Sequence, residues 1–399
     1  MDLSMFANDH MGSLVPIHGT DPILGPWNHS AFIPVPLNAS APSLTPKTYL
    51  EVANARAAVA ALDSLARQLP DPTLLRRIAL NREAQSTSAL EGTYVPLAEV
   101  LVSGDDAPPK SDRREVLNYV RMASFAFSEI QEGRPLTPSL LCDLQSILVT
   151  GTKDEGIETG IIRESQVAVG RRSDAPAGAL PVHAARFIPA PGGPVLAANV
   201  LDLTDWMRSD HAEVLDPIVS AAMAHYQFET LHPFHDGNGR IGRLLIILQM
   251  FMHGVLSEPT LTVSPWFEAR RVEYYDRLLQ VSCDGDWDGF VGFFARGITD
   301  SAKLTQREML ELIKVQENMK ETVRASRLRA DTALQMVDFA VANVSFTVRQ
   351  ASEGLGVSYP RANGLAQQLI ELDILAETKL EGSPTRRFYA PQVLRALVP

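Results

Sequence analysis

The chain has 399 residues, of which 45% are hydrophobic and 21% charged, and a formal net charge of -11. That is ordinary globular composition, and the length implies two or three domains with buried cores. The acidic balance argues against nonspecific nucleic-acid binding by the whole molecule, while leaving room for a local basic patch.

The first 45 or so residues are rich in Pro, Asn and Ser, carry no helical period and read as an extended arm. Residues 46–69, "PKTYLEVANARAAVAALDSLARQL", show an amphipathic helical pattern. A second helix follows from Pro72 and runs through "EAQSTSALEGT" to a glycine stop at Gly92. Helical patterns resume over 113–131 and 138–148. Residues 151–193 carry glycines, prolines and short β-prone pieces such as "SQVAVG" and "ARFIPAP", the pattern of a hairpin or long loop. Asp216 and Pro217 open the next helix as N-cap and first-turn residue, and helices dominate to about Lys320. Beyond Ala330 the pattern reads as helix, turn at Gly354–Gly356, helix from Tyr359 and two strands around 382–384, the layout of a winged helix-turn-helix.

Cys142 and Cys283 lack metal-ligand spacing and read as reduced core residues. The opening "MDLSMFANDHMGSL" has no basic region followed by an apolar one. The most apolar stretch, 244–252, falls far short of the roughly 20 residues of a membrane span. The expectation is a soluble cytoplasmic protein with no membrane partner.

The chemistry concentrates in "LHPFHDGNGRIGRLL", residues 231–245. A helix beginning near Gly239 presents unpaired N–H groups and the positive end of its dipole, and glycines ahead of it admit an anion to the main chain. Arg240 and Arg243, three apart, share a face near that end and suit more than one phosphate. Asp236 would repel a bare phosphate but suits a divalent cation bridging phosphates, as magnesium does. His232 can act as a general base near neutral pH. His235 has no specific role in this scheme and is read as structural. The plain alternative is a polar helix start with surface arginines, but stability alone gives no reason to set two arginines beside glycines. The inference is phosphoryl or nucleotidyl transfer, and the missing Gly-Lys-Ser/Thr excludes a Walker A loop.

"HPFHDGNGRIGR" resembles the signature of the Fic/Doc family, His-x-Phe-x-Asp/Glu-Gly-Asn-Gly-Arg-x-x-Arg, at every specified position. The resemblance implies a mainly α, all-helical core with a β-hairpin flap. The activity it implies is transfer of AMP from ATP to a Ser, Thr or Tyr hydroxyl of a target protein, with release of pyrophosphate. His232 is then the base, Phe234 a buried anchor and Asp236 the magnesium ligand. Gly237, Asn238 and Gly239 form the anion cradle, Arg240 contacts the β-phosphate region and Arg243 the γ-phosphate. "TSALEG", 87–92, resembles the family's inhibitory motif Ser/Thr-x-x-x-Glu-Gly/Asn, with Thr87, Glu91 and Gly92 in register. Glu91 would then pair with Arg243 and occupy the fork meant for the γ-phosphate. "GIIRESQVAVG" with "ARFIPAP" resembles the flap segment, Gly160, Arg163 and Gln166 fitting its pattern, and the flap would align a target backbone by strand addition. Arg270 stands where members usually have Asn, and Tyr274 and Tyr275 read as core or interface aromatics.

The implied plan is an N-terminal extension over 1–112 with an inhibitory helix at about 82–92, a catalytic core over 113–300, a helical linker over 301–334 and a winged helix-turn-helix-like domain over 335–399. Arg386 and Arg387 would sit on the wing, but from Asp331 onward basic residues barely balance acids, so packing or dimerisation stands at least level with DNA binding. A homodimer is compatible with the inhibition. Two further readings share the residues: hydrolysis of AMP from a modified target by the same site, and a DNA-binding regulator whose core only senses nucleotide.

Overall fold

The computed structural model describes the chain except residues 7–9, 39, 69–72, 104–110, 329–330, 380–385 and 399. The fold is mainly helical with short strands, as the sequence leads one to expect. It divides into two compact units drawn from alternating stretches of sequence. One comprises Met1–Ala60, Arg121–Ser257 and Trp266–Asp300, the other Ala61–Val120, Glu258–Pro265 and Ser301–Pro399.

The first unit is built on two consecutive helices, Pro217–Leu231 and Asn238–Met252. Asp216 caps the earlier helix, its carboxylate accepting the Ile218 N–H at 2.8 Å, with Pro217 in the first turn. The later helix is buried on every side from Arg240 to Met250, as expected of a helix that is apolar nearly all round. Helices Pro194–Arg208 and Arg271–Asp284 pack on the first of these, and helix Pro138–Val149 packs on Pro194–Arg208.

The N-terminal segment is a hairpin, not the extended arm expected from its composition. Strands Gly12–Asp21 and Gly25–Pro34 pair antiparallel, with Gly12 opposite Pro34 and Asp21 opposite Gly25. The Asp21 carboxylate accepts the Ile23 and Leu24 N–H groups, both at 2.8 Å, and Gly25 turns the chain at φ 82°. Prolines and glycines inside these strands mimic loop composition and hide the alternation. On its inner side Ile17 and Ala31 pack with Met1, Val182, Ala185 and Ile188. The hairpin expected within 151–193 is present as Val169–Arg171 paired with Ala185–Phe187. The Phe32 N–H donates to the Ile188 carbonyl at 2.9 Å, so the first hairpin braces the second.

In the second unit, helix Thr73–Leu90 turns an acid inward. Glu83 is 1% exposed and accepts the N–H groups of Val263 and Ser264 and the Ser264 hydroxyl, at 2.8, 3.0 and 2.5 Å. Toward the C-terminus come helix Asp331–Asn343, strand Ser345–Thr347, helices Val348–Leu355 and Tyr359–Glu371, then strands Ala376–Lys379 and Arg386–Tyr389, the last being central in a three-stranded sheet. Thr347 and Gln350 close a capping box, and Gly356 ends that helix at φ 64°. Arg387 does not reach out from a wing as expected. It is 1% exposed and donates to the Ser345 hydroxyl at 3.1 Å and carbonyl at 3.3 Å, tying two strands together. Arg386 bonds Asn363 and lies over the Phe388 ring.

Candidate active site

The candidate residues gather where helix Pro217–Leu231 ends and helix Asn238–Met252 begins. His232 terminates the first in the left-handed conformation, φ 50° and ψ 62°, its N–H donating to the Phe228 carbonyl at 3.0 Å. That backbone region is uncommon for a residue with a Cβ and needs support from its surroundings. Arg163 supplies it. Its guanidinium is fully buried and donates to the carbonyls of His232 at 2.8 Å, Leu231 at 3.3 Å, Ala190 at 2.6 Å and Ser165 at 2.9 Å. Burial pushes its pKa down to about 10, the Glu158 charge partly opposing. The half-buried His232 ring sets Nδ1 3.3 Å from the Glu229 carbonyl. A carbonyl only accepts, so this contact favours the tautomer protonated at Nδ1, with a lone pair on Nε2.

The loop from 233 to 237 is closed by its own residues. Phe234 is fully buried, as expected. The Asn238 side chain accepts the Phe234 N–H at 2.9 Å and donates to the Phe234 carbonyl at 2.8 Å. Both ends of that amide clamp the loop, so the part left for the cradle is the Asn238 backbone N–H. Gly237 caps the helix at φ 88°, and a Cβ there would lie 2.8 Å from Leu148 Cδ2. Gln145 on helix Pro138–Val149 accepts the Gly160 N–H at 2.6 Å and donates to the Asp236 carbonyl at 3.3 Å, joining the flap-side loop to the motif. Gly239 follows in the first turn, whose N–H groups have no intrahelical acceptors. Arg240 and Arg243 are both buried. Arg240 pairs with Asp236 at 2.5 Å and lies 3.8 Å from Asp154. His235 is exposed, so it is not the structural histidine the sequence reading took it for.

Beneath Arg243 lies a group that the sequence reading missed. His225, buried on helix Pro217–Leu231, sets Nδ1 3.0 Å from the Gly242 carbonyl and Nε2 2.8 Å from the Tyr274 hydroxyl. Arg243 hydrogen-bonds the same hydroxyl, and Glu229 adds negative charge beside it. Burial, helped by the Arg243 charge, pushes His225 down to about 3 and keeps it neutral. The available signal was spacing, since His225 precedes His232 by seven residues and so shares its helix face. Arg163 and Gln145 gave no comparable signal, because their partners are backbone atoms distant in sequence.

The inhibitory-motif residues belong to the second unit. Thr87 is fully buried near the end of helix Thr73–Leu90, whereas Glu91 is exposed in the turn just past it. Gly92 bends away at φ 96°, its N–H donating to the Ala89 carbonyl at 3.0 Å. Arg270, the other unusual position, stacks 4.2 Å from the centre of the Trp266 ring. A cavity of about 330 Å³ opens at the far end of the two motif helices, but its imidazoles are spent on the end of helix Pro194–Arg208. His211 Nε2 meets the Trp206 carbonyl at 2.9 Å, and His253 Nε2 the Met207 carbonyl at 2.8 Å. Among the described residues no group of three or more His, Cys, Asp or Glu is placed to hold a metal, and no helix is long and apolar enough to cross a membrane.

Residues 49–128 match the family described as Fic/DOC family N-terminal, and residues 135–250 match the Fic/DOC family. The chain is 32% identical over 217 residues to protein adenylyltransferase fic-1 of Caenorhabditis briggsae, covering 53% of this chain and 38% of that protein. Against protein adenylyltransferase Fic of Aedes aegypti it is 37% identical over 139 residues, covering 35% and 23%. The chain therefore matches well under half the length of these curated relatives. Among solved structures, a Fic family protein from Desulfovibrio desulfuricans superposes with a TM-score of 0.53 at 22% identity, covering 88% of this chain and 98% of that one, which shows a shared fold. Fic-1 from C. elegans superposes with a TM-score of 0.51 at 25% identity, covering 66% and 74%. With the motif intact from His232 to Arg243 and both regions matched over residues 49–250, the chain belongs to the Fic/DOC family.

Proposed function

We propose that the chain is a protein adenylyltransferase that moves AMP from ATP to a Ser, Thr or Tyr hydroxyl of a target protein and releases pyrophosphate. The observation that carries this reading is the left-handed helix end at His232, followed within a few residues by a glycine-capped helix that bears two buried arginines. The Nε2 lone pair of His232 takes the target's hydroxyl proton. The freed oxygen bonds to the α-phosphorus of ATP, and the bond to the bridging oxygen breaks toward pyrophosphate. The N–H groups around Gly237, Asn238 and Gly239 and the forks of Arg240 and Arg243 receive the phosphate charge.

Asp236 would hold magnesium, which neutralises phosphate charge when bound. Its side chain is 42% exposed at the mouth of the cradle. A single carboxylate with phosphate oxygens and water is a donor set that suits this ion.

Glu91 is the restraint on this reading. An exposed carboxylate set beyond a helix end by Gly92 can offer both oxygens to Arg243, leaving nucleotide bound with its phosphates misplaced for in-line attack. The assignment of 1–112, 113–300, 301–334 and 335–399 to extension, core, linker and winged helix-like domain belongs to the same proposal. With Arg387 buried and Arg386 held by Asn363 and Glu377, a packing or pairing role for that last domain is favoured over phosphate contact.

The test is incubation of wild type, Glu91→Gly and Glu91→Gly/His232→Ala with magnesium and ATP labelled at the α-phosphate, alone and with cell lysate. Label on protein with Glu91→Gly, lost with His232→Ala, is expected. No label from any variant would overturn the reading.

A further inference from the structure

The hydrogen bonds around Arg243 run in one direction and close on themselves. The Gly242 carbonyl can only accept, so His225 carries its proton on Nδ1. The imidazole is neutral, so Nε2 is an acceptor and the Tyr274 hydroxyl must donate to it. The hydroxyl lone pairs are then left for Arg243, which donates to them. The order is Arg243 to Tyr274 to His225 to Gly242, and Gly242 is the residue that precedes Arg243. A long, rotatable arginine is thereby tied back to its own helix turn through two aromatic side chains. The whole group is dry: Arg243 and Tyr274 are fully buried and His225 is 1% exposed. Phe267 lies against both rings, 4.8 Å from Tyr274 and 6.3 Å from His225 between centroids, which limits how far either can swing.

The choice of acceptor matters. A carboxylate in place of the Tyr274 hydroxyl would hold the guanidinium by neutralising it, and an incoming phosphate would have to compete with it. A phenol that burial keeps from ionising orients the fork without adding a charge of its own.

We propose that His225 and Tyr274 are positioning residues for Arg243, setting its guanidinium for the outermost phosphate of a nucleoside triphosphate. This rests on the reading above that Arg243 takes the γ-phosphate. The consequence is selectivity among nucleotides: the relay contributes to binding of ATP and nothing to binding of AMP, which lacks the phosphate in question.

The experiment uses the full chain carrying Glu91→Gly and measures affinity for ATP with magnesium and, separately, for AMP. Tyr274→Phe keeps the ring stack and removes only the hydroxyl. It is expected to weaken ATP roughly tenfold or more, the usual worth of a hydrogen bond to a charged group, and to leave AMP within about twofold. His225→Leu, which removes the acceptor that orients the hydroxyl, should move the ATP-to-AMP ratio the same way by a smaller factor. With Arg243→Ala already in place, Tyr274→Phe should have little further effect on that ratio, because the two act as one unit. An equal loss for ATP and AMP, or an unchanged ratio in both Tyr274→Phe and His225→Leu, would overturn the proposal while leaving the adenylyltransferase reading intact. If Arg243→Ala itself leaves the ratio unchanged, the γ-phosphate assignment fails first and takes the proposal with it.

Discussion

Replacing Arg163 with leucine should unlock the candidate catalytic histidine without touching it. Four backbone carbonyls lose a cationic donor, including that of His232 itself and that of Leu231 just before it. At roughly 1.5–3 kcal/mol for each hydrogen bond to a charged group, the gross loss is ~6–12 kcal/mol. Leucine also removes a charge that the fold holds at a cost. The guanidinium is pushed down from 12.5 to about 10 by burial, which corresponds to ~3 kcal/mol returned on substitution. The balance is a destabilisation of at least ~3 kcal/mol, and at ~2–4 °C per kcal/mol for a unit of this size the melting temperature should fall by ~6 °C or more. In the Glu91→Gly background the transfer rate should fall further than stability alone implies, by ~100-fold, because the left-handed turn that aims His232 has lost its brace. Calorimetry and α-phosphate labelling on the same preparations read both quantities. A variant melting within about 1 °C of its parent with near-parental transfer would refute the claim that Arg163 holds the turn.

Three other expectations follow from single positions. Gly237→Ala meets both a left-handed φ of 88° and a Cβ only 2.8 Å from Leu148 Cδ2, so it should cost ~1–3 kcal/mol and weaken ATP binding through a displaced cradle; unchanged ATP affinity by titration would contradict it. Gly192→Ala places a Cβ 2.4 Å from the backbone carbonyl of Glu164 and 2.9 Å from that of Arg163, and should lower the melting temperature by several degrees; an unchanged melting temperature would contradict it. His225 makes stability depend on acid: its unfolded imidazole takes a proton below pH ~6.5, whereas the folded one resists until near 3, so stability present above pH ~6.5 is lost as pH falls. By about pH 5 that loss is ~2 kcal/mol, and urea unfolding at pH 7 and 5 should show a shallower drop for His225→Phe; equal drops would contradict the neutral assignment.

The contrast between what could and could not be read from the sequence is physical. The motif was legible because its residues act locally: glycine caps, an i, i+3 pair of arginines and a histidine at a helix end are all set by neighbours a few positions away. The long helices were legible for the same reason. The N-terminal hairpin was not, because Pro16, Pro26 and the strand glycines imitate loop composition while the register is fixed by an Asp21 turn and by packing on residues 182–188. Arg163 could be matched to a family pattern but not to its work, since its four acceptors come from three separate stretches of chain. Asn238 invited a ligand role by its place between two glycines, yet its amide is occupied by Phe234. Arg387 invited a wing role, yet it is buried and its guanidinium is taken by Ser345 on the neighbouring strand.

The two motif arginines, three residues apart on one helix, are both buried and both held by side chains. Arg240 is paired with the carboxylates of Asp236 and Asp154, and Arg243 donates to the Tyr274 hydroxyl in the presence of the Glu229 charge. On the proposed reading both arginines take up phosphate oxygens. Asp236 would hold a divalent ion that neutralises phosphate charge, and Arg240 would then donate to a phosphate oxygen. On the same reading the Glu91 carboxylate would compete with the nucleotide for Arg243. Restraint at Arg243 and phosphate binding at Arg240 would then follow one physical rule: in a dry site the arginine's charge goes to whichever anion is best placed to take it.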